Sequence, residues 1–314
     1  MGEARRKAGR RLAGVVLGLA LGVVGAEGLY RLTRSGELGP TTNPGYVLHD
    51  SELGWAYRPG ARARHRTDEF DVGVRINSGG FRGAEWPPPR AGRRRVLVLG
   101  DSFAFGWGVD EDRTLAALID AAEPAWDVLN AGVSGYGTDQ ELLLLRRLMR
   151  EARPDLVVCL LCANDLYECA GRVAYGKRKP AFELADGRLV ATGVPVPQPL
   201  LERVSHLWRA LEKHTWERRH ARRRAESAAE WRLVEALLDE MSRELSDVPL
   251  VIASERDELE AFAAARAGVH HVDLRPALAA SEEPVTYAAD GHWTAAGHAA
   301  VARALRERIA ALLP

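Results

Sequence analysis

The chain has 314 residues, 46% of them hydrophobic, and its 43 basic side chains balance 43 acidic ones. That apolar content supports one core of about 200–250 residues with appendages. The balance removes any whole-chain case for nucleic acid or an acidic partner. Arg outnumbers Lys 39 to 4, which reads as a coding bias and not as a phosphate-binding surface. Cys159, Cys162 and Cys169 fall within eleven residues, and an odd, clustered set is no disulfide framework.

The first element is a targeting segment. Arg5, Arg6, Lys7, Arg10 and Arg11 precede an apolar run over residues 12–26, and Leu29 and Tyr30 follow Glu27. Residues 12–30 number 19, near the ~20 that cross a bilayer as a helix. Five basic residues ahead of the run, against Arg31 and Arg34 behind it, orient the amino terminus towards the cytoplasm. A cleavable signal peptide is the rival, since Val24-Gly25-Ala26 offers small residues at a cleavage site. Both readings expect export. The uncleaved anchor is favoured, with residues 1–34 as basic terminus and membrane helix and the remainder periplasmic or extracellular.

Residues 35–93 are rich in Gly, Pro and Arg and read as an irregular extension, with one short half-buried strand at 71–76. Trp86-Pro87-Pro88-Pro89 and Arg93-Arg94-Arg95 mark its end. From residue 94 to 314 strands alternate with helices. Strands are predicted at 96–99, 126–129, 155–161, 248–254 and 270–274, with helices at 114–122, 138–149 and after Thr294. Thr138 has the spacing of a capping box with Glu141. The pattern argues for a doubly wound parallel sheet.

An insertion at about 166–247 interrupts the alternation. A hairpin is expected around Asp186-Gly187. One amphipathic helix is expected through Leu200, Leu201, Val204, Leu207, Trp208 and Leu211, and a second through Trp231 to Leu245. The basic run at 218–224 between them reads as a solvated face; contact with anionic headgroups is its sharper reading, conceivable for a domain close to a membrane. Cys159-x-x-Cys162 lies on a predicted strand, where residues three apart point to opposite faces. Packing therefore outweighs a metal or redox pair.

Four segments fall just past the carboxyl ends of predicted strands. They are Gly100-Asp101-Ser102, Asn130 through Gly135, Ala163-Asn164-Asp165 and Asp290-Gly291-His292-Trp293. Ligands of open α/β sheets bind at that edge. A serine hydroxyl needs a base, and His is the usual one near neutral pH. Ser102 is therefore the candidate nucleophile, His292 its base and Asp290 the acid that fixes the imidazole. The backbone N–H groups of Ser102 and Gly135 and the Asn164 amide are candidate oxyanion donors. Asp101 is expected to hold the turn and Asn130 to be a buried structural partner. His298 makes a poor zinc ligand without a cluster around it. Gly-Asp-Ser-Phe-Ala also lacks the Gly-x-Ser-x-Gly of an α/β-hydrolase.

These segments, over residues 95–314, resemble the SGNH (GDSL-type) hydrolase family. Gly100-Asp101-Ser102 resembles its nucleophile block, Asn130 to Gly135 the block with an oxyanion glycine, Ala163-Asn164-Asp165 the asparagine block, and Asp290 with His292 the closing block. The resemblance implies a flavodoxin-like three-layer α/β fold, ester-hydrolysing chemistry on an acyl ester of a lipid, glycan or small molecule, and no metal or organic cofactor. Leu53-Gly54-Trp55 and Ile76-Asn77-Ser78-Gly79-Gly80-Phe81-Arg82 look like features of anchored bacterial members. One departure stands out. The family's closing block is Asp-x-x-His, and here one residue separates Asp290 from His292, as in SGNH-like domains that O-acetylate exopolysaccharides. An esterase is expected first, an O-acyltransferase to a sugar hydroxyl second, and a non-catalytic envelope protein last.

Overall fold

The computed structural model describes residues 2–33, 46–169, 171–220 and 228–313. Helix α1 (Gly2–Thr33) carries the apolar run. Among the described residues it is the one helix long and apolar enough to cross a membrane, and Leu12, Leu19 and Val24 on it are exposed. Residues 35–45 and the basic run from Ala221 onward lie outside the described residues.

From Tyr46 the extension is not irregular. It forms two antiparallel hairpins, β1 (Val47–Asp50) with β2 (Gly54–Tyr57), and β3 (Arg62–Arg66) with β4 (Asp71–Arg75). Arg62, Arg64 and Arg66 face water while His65 turns inward opposite Val72. Tyr46, Trp55, Tyr57, Val74, Ile76 and Phe81 are buried in the same core as one face of the central sheet. The strand expected at 71–76 is present as β4, and composition hid its partner β3 because the outward positions of β3 are Arg.

Next come β5 (Arg94–Gly100), α2 (Ser102–Phe105), α3 (Leu115–Ala122), β6 (Trp126–Asn130), α4 (Thr138–Ala152), β7 (Leu156–Leu160) and α5 (Asp165–Glu168). The insertion holds two-residue strands β8 (Val173–Ala174) and β9 (Lys177–Arg178), the hairpin β10 (Ala181–Ala185) with β11 (Arg188–Thr192), and helices α6 (Leu200–Val204), α7 (His206–His220) and α8 (Ala228–Leu245). The chain ends in β12 (Leu250–Ser254), α9 (Glu258–Ala264), β13 (Val269–Asp273), α10 (Arg275–Ala279) and α11 (Ala295–Leu312).

Strands β6, β5, β7, β12 and β13 stand side by side, all parallel. Read along the chain this is order 2-1-3-4-5, the flavodoxin-like arrangement, with its switch point between β5 and β7. The central strands β5, β7 and β12 are buried on both faces and are near-continuous apolar runs, while the edge strands β6 and β13 also carry polar residues. Alternation sends Leu97, Leu99, Val157 and Ile252 to the side of α4 and α8. Val96, Val98, Val158 and Val251 go to the side of α3 and α11. The five expected strands are all present, with ends shifted by a residue or two.

Two local expectations change. Thr138 is the first residue of α4 and not its cap; Gly137 precedes the helix, and its N–H donates to Gln140 Oε1 at 3.4 Å. The Thr138 hydroxyl instead donates to Asp165. The helix expected over 200–211 is broken at Ser205, whose Oγ accepts from Trp208 N at 2.9 Å and starts α7 afresh. The Asp186-Gly187 hairpin forms as expected, both residues having positive φ.

Candidate active site

Ser102 begins α2 directly after β5, at the switch point. Asp101 caps that helix, its Oδ1 accepting from Phe103 N at 2.9 Å, so it holds the turn as expected. The turn after β6 lies hard against α2. A Cβ on Gly132 would come within 2.3 Å of Phe105 N, so only glycine fits. Asn130 Oδ1 accepts Gly132 N at 2.9 Å and shapes that turn. Gly135 has φ +79°, a conformation that favours glycine.

The amino-terminal hairpins brace both loops. Buried Arg82 donates to the carbonyls of Phe105, Gly106 and Val109. Trp55 Nε1 donates to Ser134 O at 3.2 Å, and Ser134 N donates to Tyr57 Oη at 3.0 Å. Asn77 closes the 76–82 loop, accepting from Gly79 N and Phe81 N.

Across the crevice, the loop before α11 brings in Asp290 and His292. His292 Nε2 lies 2.7 Å from Ser102 Oγ, and His292 Nδ1 lies 2.5 Å from Asp290 Oδ1. With Nδ1–H donating to Asp290, Nε2 is left to accept the serine proton. Trp107 Nε1 donates to Asp290 Oδ2 at 3.2 Å. Glu69, on the β3–β4 turn, accepts from Ala289 N at 3.0 Å and Asp290 N at 2.8 Å. Partial burial pushes the Asp290 carboxyl up, but the His292 hydrogen bond and charge, with the Trp107 N–H, outweigh it and hold the group below its ordinary value. Phe103 packs beside the His292 ring, centroids 4.9 Å apart.

Asn164 reaches the same crevice from the end of β7. Its Nδ2 donates to Asp101 Oδ2 at 2.7 Å and to Glu168 Oε1 at 3.1 Å. Beneath it lie five buried acids, Asp101, Asp139, Glu141, Asp165 and Glu168, with the buried cation Lys179 paired to Asp139. Burial pushes every one of these carboxyls up. For Glu168, burial and then the Asp101 charge raise it to about 8. Among the described residues the backbone N–H groups of Ser102 and Gly135 make no hydrogen bond to the protein.

Ser102, Gly135, Asn164, Asp290 and His292 thus line one crevice of about 470 Å³, walled by Tyr167, Tyr175, Lys213 and Glu217 of the insertion. A second hollow of about 590 Å³ shares Phe103, Asn164 and Tyr167 with it and is rimmed by Glu255, Arg256, Asp257 and Arg275. Among the described residues no group of His, Cys, Asp and Glu is arranged to hold a metal. His298 is buried edge-on to Trp293. Cys159 and Cys162 sit on opposite faces of the sheet, the first bonded to Glu141 and the second to Asp101.

A GDSL-like lipase/acylhydrolase family model matches residues 98–300, about two thirds of the chain. The chain belongs to that family. Similar solved structures include a GDSL-like lipase from Bacteroides thetaiotaomicron, 15% identical, covering 72% of this chain and 93% of that one with a TM-score of 0.44. A family 3 carbohydrate esterase from Clostridium thermocellum is 13% identical, with coverages of 71% and 100% and a TM-score of 0.42. A lipolytic protein of the G-D-S-L family from Veillonella parvula is 15% identical, with coverages of 68% and 97% and a TM-score of 0.40. A comparison with curated proteins returned no match.

Within this GDSL-type hydrolase, Trp107 and Glu69 are the neighbours of the Asp290 loop that sequence reasoning missed. Trp107 carried one signal, its place five residues after Ser102 on a loop punctuated by Gly106 and Gly108. Glu69 carried none, because its contact spans 221 positions to Asp290. The short Asp-x-His spacing still lets Asp290 reach His292, through a turn at Gly291 with φ +83°.

Proposed function

We propose that this hydrolase cleaves an O-acyl ester on the outer side of a membrane to which α1 anchors it. The single observation that carries the chemistry is the unbroken hydrogen-bonded line from Ser102 Oγ through His292 to Asp290. In this reading His292 takes the Ser102 proton as Oγ attacks the ester carbonyl carbon. The carbonyl oxygen becomes an oxyanion facing the N–H groups of Ser102 and Gly135. Asn164 joins them by turning one N–H away from Glu168, the longer of its two bonds. The ester C–O bond then breaks, and the leaving alkoxide takes the proton from His292. Water, deprotonated by the same imidazole, attacks the acyl-serine; the C–Oγ bond breaks, Ser102 Oγ takes the proton back from His292, and the acid is released. Asp290 stays charged and stabilises the imidazolium.

A fluorophosphonate probe tests the nucleophile. It should label wild-type protein and leave Ser102→Ala unlabelled; labelling of that variant would remove Ser102 from the role. Anchoring rests on the apolar length of α1 and the five basic residues ahead of it. A reporter fused after Pro314 should be active in the exported compartment alone, and a mature chain starting near Glu27 would replace the anchor with a cleaved signal.

One observation favours a second reading, acyl transfer to a sugar hydroxyl in place of water. The polar-rimmed hollow beside the crevice is a place for a hydroxyl-rich acceptor. A glycan that accelerates release of the first product, and itself becomes acylated, would establish that route.

A further inference from the structure

Glu27 is the one charged residue in the apolar stretch 12–30, and a carboxylate at a membrane helix needs a partner. Its partner is the start of α7. Glu27 Oε2 accepts from Ser205 Oγ at 2.7 Å and from Leu207 N at 3.0 Å, and Oε1 accepts from His206 N at 2.8 Å. The two N–H groups belong to the first turn of α7, unsatisfied within their own helix and at its positive end. Arg31, one turn on, donates to Glu27 Oε1 at 2.6 Å and to the carbonyl of Val204. The end of α1 is therefore fastened to the α6–α7 junction at the depth where a spanning helix leaves the bilayer.

Around that junction four large apolar side chains are exposed. Leu200 is 67% exposed, Leu201 48%, Val204 48% and Leu211 55%. Four large apolar residues within twelve positions, beside the exit of an apolar helix, form a patch and not the isolated exposures of any surface. The opposite side of α7 turns into the protein. Trp216 Nε1 donates to Val173 O at 3.0 Å, and Lys213 and Glu217 wall the Ser102 crevice. Helix α7 is thus amphipathic across the line joining membrane helix and crevice. Lys213 lies eight residues beyond Ser205, which at ~1.5 Å per residue is about 12 Å.

We infer that α6 and the first half of α7 lie in the surface of the bilayer that α1 crosses, so that the Ser102 crevice opens beside the headgroups and receives an ester carried by the membrane. This rests on the anchored reading of α1. Continuity of the patch with the fastened end of α1 selects the bilayer over a second copy of the chain.

The test uses full-length protein in vesicles of phosphatidylcholine with a minor share of phosphatidylglycerol. Photoreactive benzoylphenylalanine replaces, one at a time, Leu19, Leu201, Leu211 and the exposed Glu151 at the far end of α4. Lipid adducts are expected at 19, 201 and 211 and at background level at 151. Adducts at 19 without any at 201 and 211 overturn the surface placement and leave the anchor standing. Absence at 19 as well overturns the anchor and the inference with it. Cross-links from 201 to a second copy also overturn it. In a second arm, Leu200→Asn, Leu201→Asn and Val204→Asn combined should lower turnover of a long-chain acyl ester embedded in vesicles at least tenfold. Turnover of a water-soluble short-chain p-nitrophenyl ester should be unchanged. No selective loss on the embedded ester overturns the inference.

Discussion

Two aspartates approach Ser102 from opposite sides, in opposite surroundings. Asp290 sits on a loop with its side chain one-fifth exposed, and three donors, His292 Nδ1, His292 N and Trp107 Nε1, converge on it. Those donors keep it below its ordinary value despite partial burial. Asp101 is fully buried, spends its oxygens on Phe103 N and Asn164 Nδ2, and lies over four more buried acids. Burial pushes its carboxyl up. In the proposed mechanism one acid stays charged beside an imidazolium. The other is arranged to hold backbone and amide in place. Environment, and not residue type, divides the roles.

Exchanging each acid for its amide tests that division most severely. Asp290→Asn should lower kcat by ~10⁴, because the amide presents an N–H to Nδ1 and favours the wrong tautomer. Asp101→Asn keeps an acceptor for Phe103 N and should cost far less, about 10–100-fold, through the lost acceptor for Asn164. Steady-state kinetics on a p-nitrophenyl ester would decide; equal losses would erase the distinction.

The buried acids carry a pH signature that the Asp290 loop does not. The Glu168 carboxyl is raised to about 8, against ~4.3 in an unfolded chain. Between those values the folded chain holds a proton that the unfolded chain has released. Stability from this group is therefore full below about 4.3 and is lost as pH rises through about 8, by up to ~1.4 kcal/mol per pH unit. Urea unfolding across pH 5 to 8 should show that fall. Glu168→Gln, neutral throughout and still able to accept from Asn164, should flatten it. An unchanged slope in the variant would mean that Glu168 is not the proton holder.

Asn164 stands between the two regions, so its substitutions sharpen the comparison. Asn164→Ala should lower kcat by about 10²–10³, ~2.7–4 kcal/mol, with little change in KM, if its amide meets the oxyanion. Asn164→Asp should do at least as much damage, since it adds a sixth acid to the five below and a carboxylate beside the oxyanion. Wild-type kcat in Asn164→Asp would make it a turn residue and leave Ser102 and Gly135 as the donors.

Much of this was legible in the sequence because it depends on local pattern. The five strands are short, mostly apolar segments, and the turns after β5, β6 and β7 carry Ser102, Gly135 and Asn164. Legibility ended where partners are distant. Nothing near Asn164 in sequence shows that Asp101 accepts its amide, because Asp101 follows a different strand. The β3 strand was hidden by the arginines on its outer face, although His65 and Ala63 alternate with them. The break at Ser205 was visible as a capping residue inside an apolar helix pattern, but Glu27, which completes that helix start, lies 178 positions away.

The supports of the Asp290 loop, Trp107 and Glu69, give the smallest and most discriminating effects. The Trp107 indole N–H reaches the Asp290 oxygen that His292 does not use, and its ring packs against His65 at 4.1 Å and Phe70 at 5.7 Å. Trp107→Phe keeps most of that packing and deletes the N–H. A hydrogen bond to a charged group contributes about 1.5–3 kcal/mol, but Asp290 is partly solvated and water replaces some of it. A fall in kcat of about tenfold is therefore expected, with KM unchanged and Tm within a few degrees of wild type. Glu69→Gln separates orientation from charge, because one amide oxygen can still accept a backbone N–H of the loop; its loss should be smaller, about threefold. Glu69→Ala, which abandons both N–H groups, should match or exceed Trp107→Phe. If Trp107→Phe leaves kcat at the wild-type level, the imidazole and the loop's own backbone suffice to hold Asp290. Glu69, on the β3–β4 turn, would still brace the backbone of that loop.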